Sequence, residues 1–203
     1  PYDVPPTGAI PYQHFVVDPG WTEDKWIKSL ECVPDNHAVV HHIIVYLVPP
    51  GVTPSGQAGR LRSNWLGAYA PGLRQQVLEE GMARYVQAGS KLLFEMHYTP
   101  NGTPQKDRSY AGFVFADPKT VKQQFHGGAV GNMKLSIPAG EPNFQVAGHH
   151  RFRKDTLLLN VTPHMHLRGK AFRYEVTYPD GKKETILDVP RYDFGWQTNS
   201  GSA

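Results

Sequence analysis

The chain has 203 residues, room for one large or two small domains, with 21 basic and 18 acidic side chains and a formal charge of +3. No long basic run accompanies that small excess, which argues against nucleic acid as a partner, and no apolar stretch approaches the length of a membrane span. A single cysteine, Cys32, excludes an internal disulfide framework and a cysteine-based zinc or iron–sulfur site, and is expected to be a small buried hydrophobe.

Short apolar runs rich in Val, Ile, Phe and Tyr, punctuated by 20 Gly and 18 Pro, predict an all-β protein with many loops. The opening "PYDVPPTGAIPY" is extended, and "QHFVVD" is the first expected strand. "TEDKWIKSLECVPDN" fits a short helical turn or an edge strand. "HAVVHHIIVYLVPPG" is a long strand closed by Pro49, Pro50 and Gly51, and "VTPSGQAGRLRSNWLGAYAPG" follows as a loop. "MARYVQAGSKLLFEMHYTPNG" reads as two strands joined by a turn at Ala88-Gly89-Ser90, and "SYAGFVFADP" as another strand. Further on, "MKLSIPAGEP", "NFQVAGHHRF", "KDTLLLNVTPHMHL" and "AFRYEVTYPDGKKETILDV" are expected strands, the last a hairpin with Asp180-Gly181 at its tip. A boundary around residues 118–125 divides the chain into domains 1–122 and 123–203. The second is about half to two-thirds the length usual for a β-sandwich, and no closing strand follows "WQTNSGSA". The chain starts at Pro1 without an initiator Met and is read as a piece of something longer.

The ten histidines carry the chemistry. "VVHHIIVY" supplies His41 and His42, "FEMHYTPNG" supplies His97, and "TPHMHLRGK" supplies His164 and His166. Positions i and i+2 of a strand share a face, so His164 and His166 are expected to project together with Met165 turned away. A metal ion gives such paired imidazoles a partner, and copper, zinc, iron and nickel all accept them; surface histidines are the plain alternative. Adjacent His41 and His42 diverge on a regular strand. They reach one ion only if the strand is twisted or bulged, or if one of them binds through Nδ1. His97, from a neighbouring strand, would be the third ligand, with a buried, hydrogen-bonded histidine as the alternative. Glu95 shares its face and is placed to orient a ligand. His149 and His150 have basic neighbours and read as solvated or structural, as do the isolated His14, His37 and His126. No H-E-x-x-H, G-x-S-x-G or phosphate loop is present.

Taken in order, "VVHHIIVY", "GSKLLFEMHYTPNG" and "PHMHLRGKAFRYEV" resemble the copper type II, ascorbate-dependent monooxygenases. That family includes peptidylglycine α-hydroxylating monooxygenase and dopamine β-hydroxylase. "AYAPG" and "DVPRYDFGWQ" are similar to its bacterial, cysteine-poor branch. The resemblance implies two jelly-roll-like antiparallel β-sandwich domains, the second incomplete here, each with one copper. His41, His42 and His97 would hold the electron-transfer copper, and His164 and His166 the oxygen-binding, catalytic copper. The implied activity is hydroxylation of an activated C–H bond of a small-molecule substrate, using dioxygen and a one-electron donor such as ascorbate. A periplasmic or secreted location and possible fused redox domains belong to the same expectation.

The family's second site is completed by a methionine beyond the H-x-H. No methionine follows Met165 here, and Met82, Met96 and Met133 all precede it, so a C-terminal truncation is expected. Thr162 stands where peptide-hydroxylating members carry an arginine, which removes support for a glycine-extended peptide as substrate. Two other readings stay open: a non-catalytic copper-binding or electron-transfer module using the first site alone, and a three-histidine zinc hydrolase. Trp65, Tyr69 and Trp196 are candidates to line a cleft or to pack in the core.

Overall fold

The structure, a computed structural model, describes residues 1–53, 64–71, 76–128, 130–132, 135–165, 167–193 and 200–201. In chain order the strands are β1 (Tyr2–Val4), β2 (Gln13–Val17), β3 (Lys25–Val33), β4 (Val40–Val48), β5 (Trp65–Tyr69), β6 (Gln76–Val77), β7 (Met82–Val86) and β8 (Lys91–Tyr98). They continue as β9 (Gln105–Asp107), β10 (Tyr110–Phe115), β11 (Gln123–Gln124), β12 (Asn160–Val161), β13 (Phe172–Thr177), β14 (Lys183–Val189) and β15 (Ser200–Gly201). A 3-10 turn, Pro118–Thr120, is capped by the Asp117 carboxylate, which accepts from the Lys119 amide. The protein is all-β, as its composition predicts.

The chain forms two compact units, the first extending to His150 and the second beginning at Arg151. In the first unit a four-stranded antiparallel sheet runs β2-β8-β4-β5, and a five-stranded sheet runs β10-β3-β7-β11 with β6 also paired to β3. Among the described residues only the β11–β7 pair is parallel. Successive strands pass from one sheet to the other, from β2 to β3, β3 to β4, β5 to β6 and β7 to β8, as in a β-sandwich.

Period-two alternation explains why the sheets stack. Leu92, Phe94, Met96 and Tyr98 alternate along β8, and Ile43 and Val45 along β4; all six are buried in one core. Cys32 joins them from β3, and Leu30, Ala111 and Phe113 pack against them from the second sheet. Complete burial of a side chain such as Ile43 stabilises by roughly 1.5–3 kcal/mol. At Gly67 on β5 an added Cβ would collide with Leu30 Cδ2, so a glycine is what lets the two sheets approach there. The opposite face of the four-stranded sheet carries a smaller apolar cluster of Tyr46, Val48 and Leu93, with Ile44 and Trp65 against it.

One buried carboxylate ties the loops at the end of this sandwich. Asp107 is 3% exposed and accepts hydrogen bonds from the Tyr98 hydroxyl, the Asn36 amide, and both the amide and hydroxyl of Ser109. Burial and this acidic partner hold the Tyr98 phenol well above its ordinary pKa.

Three expectations are corrected. "KWIKSLECV" is neither a helical turn nor an edge strand: β3 lies between β10 and β7, and its apolar residues are needed by the core. The expected loop after Gly51 contains β5, whose short "WLGAY" sits among turn residues that mask its strand character. Most substantially, "MKLSIPAGEP", "NFQVAGHHRF" and the first part of "KDTLLLNV" form no strand among the described residues before Asn160. Leu135 and Ile137, and Phe144 and Val146, have strand spacing, yet each is more than a third exposed. Alternation alone makes no strand where no partner ladder satisfies the backbone and no surface covers the apolar face.

The second unit contains the β13–β14 hairpin and the β12–β15 pair. The hairpin turns at Asp180-Gly181 as expected: Gly181 has φ +86°, and Asp180 Oδ1 accepts from the Lys182 amide.

The Asp107 hub makes a direct prediction. Asp107→Ala leaves the Tyr98 hydroxyl and the Asn36 and Ser109 donors without their acceptor inside the fold. Urea unfolding is expected to show a loss of about 3 kcal/mol, against less than about 0.5 kcal/mol for the exposed control Asp18→Ala.

Candidate metal centre

Strands β4 and β8 build the site. The ladder pairs Val40 with Tyr98 and then His42 with His97, so His41 is an extra residue on β4 and the register slips there. That is a β-bulge, the distortion an adjacent histidine pair needs to serve one ion. Pairing with β5 begins only at Ile43, which leaves the bulge at the free end of the sheet.

The bulge brings the rings together. Ring centroids are 5.4 Å apart for His41 and His42, 5.0 Å for His41 and His97, and 4.8 Å for His42 and His97. His41 Nδ1 lies 3.2 Å from His42 Nδ1. One ring nitrogen from each of the three lies within 4.8 Å of the other two. Among the described residues this is the only such group of potential metal ligands.

These residues fit a metal. At metal–nitrogen bonds of about 2.0–2.1 Å, two ligating nitrogens sit roughly 2.9–3.4 Å apart for right-angled to tetrahedral bonds, and about 4.2 Å apart when opposed. The His41–His42 separation is within that range, and a pair at the 4.8 Å limit would close by about 0.6 Å for opposed bonds or about 1.4 Å for tetrahedral ones. His97 Nδ1 is buried with no hydrogen-bond partner, an uncommon state for a buried ring nitrogen and one that a metal or a change of tautomer would relieve. The donor set is imidazole alone. Cys32 is not available to it: the residue lies in the core, and burial, with nearby Glu31, pushes its thiol up to about 12.

Tyr12 and His14, which were not expected in the site, flank it. Tyr12 packs 5.0 Å from the His97 ring and 5.6 Å from the His42 ring while remaining half exposed, so it forms an outer wall. His14, opposite Glu95 in the β2–β8 ladder, places Nε2 2.9 Å from Glu95 Oε2. The Tyr46 hydroxyl donates to Glu95 Oε1 at 3.4 Å. Glu95 therefore shares the face of His97 but engages His14 and Tyr46 rather than a clustered histidine. The one sequence trace of these neighbours is the alternation of Tyr12 and His14, and reading it requires knowing that β2 pairs with β8.

His37 Nδ1 is 3.2 Å from the Tyr69 hydroxyl, and Tyr69 packs against the main core. His164 is exposed and follows β12 instead of belonging to it, so strand alternation does not set its direction. His166, Met133 and Trp196 lie outside the described residues. Between the two histidines, the Met165 main chain is held at both ends by Tyr192, whose hydroxyl accepts from the Met165 amide at 2.9 Å and donates to its carbonyl at 2.8 Å.

Burial, then the charge of His41, depresses the His97 pKa below the ordinary 6.5. The unfolded chain then takes up that proton first as acid is added. Stability is therefore full above about pH 6.5 and falls as pH drops through the interval between the unfolded and folded values. The urea midpoint of the metal-free protein is expected to decline from about pH 7 to about pH 5, and His97→Gln to flatten that decline. An equal decline in the variant would assign the effect to another group.

No protein-family model matches the chain, and neither a curated protein nor a solved structure matches it.

Proposed function

We propose that the chain is a copper protein of the monooxygenase type, hydroxylating an activated C–H bond of a small molecule with dioxygen and a one-electron donor such as ascorbate. The observation that carries the metal part is the bulge at His41, which gathers three imidazoles on one sheet face. An all-imidazole set suits copper, which binds such sites more tightly than the other divalent first-row metals. The choice of reaction rests on the order of the three histidine motifs and on their resemblance to the copper monooxygenases.

In this reading His41, His42 and His97 hold the electron-transfer copper, and His164 and His166 contribute to the oxygen-binding one. Bound copper supplies one-electron chemistry and oxygen activation. The protein fixes the ligands: β4 and β8 belong to a packed sheet, so the histidine backbones are held by the ladder on one side and the apolar core on the other. Tyr12 covers one flank of the imidazoles, while His41 stays exposed and leaves an approach for an electron donor. In the net reaction one oxygen atom enters the C–H bond and the other leaves as water, with the electrons drawn from the donor.

A second reading, a non-catalytic copper or electron-transfer module, is favoured by one observation. The described residues contain a single three-ligand cluster, His41, His42 and His97.

Copper titration followed by elemental analysis and X-ray absorption separates the readings. His42→Ala and His97→Ala are each expected to lose about one copper equivalent and the histidine signature of the first site. If ascorbate-dependent oxygen uptake accompanies copper in the wild type and vanishes in these variants and in His164→Ala, the monooxygenase reading stands. Copper bound at the first site without oxygen uptake leaves the electron-transfer module; no copper retention ends both.

A further inference from the structure

Tyr12 stands against the histidine cluster and belongs to neither apolar cluster of the first unit. It immediately precedes β2, the edge strand of the four-stranded sheet, and the pairing of Gln13 with Met96 carries it to the position beside His97. Its main chain is fixed from both sides. Ile10 packs against the core, and the Gln13 side-chain amide donates to the Pro11 carbonyl at 2.7 Å. The Tyr12 ring lies 5.0 Å from that of His97 and 5.6 Å from that of His42, at interplanar angles of 38° and 41°. Among the described residues these two imidazoles are its ring contacts, and no protein group is bonded to its hydroxyl.

The placement is that of a lid. One side of the ring lies on the imidazoles while the residue stays half exposed. One of the covered imidazoles holds a buried nitrogen, His97 Nδ1, with no hydrogen-bond partner. Drying a polar nitrogen without giving it a partner costs free energy in the metal-free protein. A bound metal makes the same dryness useful, because solvent access and local polarity tune the reduction potential of an ion. Cu(II) carries the higher charge and gains more from water than Cu(I) does, so excluding water from the ligand rings favours Cu(I).

We propose that Tyr12 is a positioning residue of the metal centre: its ring holds His42 and His97 and keeps water from their flank, which raises the reduction potential of the copper they bind. This rests on the reading of His41, His42 and His97 as a copper centre. The ring carries the effect and the hydroxyl does not, so phenylalanine should replace Tyr12 without loss.

The test uses the His164→Ala protein loaded with copper alone, so that the ion measured is the one at the first site. Redox titration and pulsed electron paramagnetic resonance are compared for that parent and for added Tyr12→Ala or Tyr12→Phe. Tyr12→Ala is expected to favour Cu(II) over Cu(I) by at least tenfold more than the parent, a fall of about 59 mV in a one-electron potential. Exchangeable water-proton couplings should appear at its copper, and Tyr12→Phe should restore the parent's potential and spectrum. Circular dichroism checks folding, and Tyr12→Gln, which removes the ring but keeps a long side chain, serves if Tyr12→Ala does not fold. A copper-loaded centre whose potential is unmoved by loss of the ring, or moved equally by Tyr12→Phe, overturns the assignment and leaves the copper reading standing. Failure of the parent to hold copper, or equal retention after His97→Ala, removes the copper reading and the assignment together.

Discussion

The pairing of β4 with β8 is the constraint on which the rest of the first unit depends. It supplies the two middle strands of the four-stranded sheet, and it brings together residues from distant parts of the chain. One face of this pair is buried in the apolar core; the other carries His42, His97, Glu95 and Tyr46. The period of two that separates inside from outside is therefore also what separates stability from chemistry. Only at His41 does the period fail, and there the additional residue closes the imidazole cluster.

The same physics determines what could be read from the residues alone. Long alternating runs such as "KLLFEMHY" and "VVHHIIVYLV" disclose their strands because one face must be buried. The three histidines were legible as a set because imidazoles on apolar strands need partners, and the adjacent pair required a bulge. Tyr12 and His14 were not legible, because their proximity is a property of strand order, and strand order is a non-local outcome. β5 was missed because five residues among turn formers carry too little pattern. Residues 135–146 erred in the other direction: their alternation is strand-like, but pattern expresses only a capacity to pair, and no described strand pairs with them.

The outer face of the four-stranded sheet grades from polar to apolar across successive cross-strand rows. His97 and His42 face each other at one end with Tyr12 against them, His14 and Glu95 follow, and Leu93 and Tyr46 pass into the apolar cluster with Trp65. The His14–Glu95 contact thus sits between the imidazole cluster and the apolar patch, so a carboxylate close to the site is already engaged by His14 instead of by the clustered histidines.

The bulged histidine pair and its cross-strand partner also bear on how the chain reaches its fold. His42 and His97 are separated by roughly fifty residues of sequence, and closing a loop of that length carries an entropic cost that each strand cannot repay by itself. An ion held by both would act as a reversible cross-link, one that forms only when the central ladder is in register and that penalises any slip by a single residue. The centre would then serve as a register lock for the sandwich as well as a seat for chemistry.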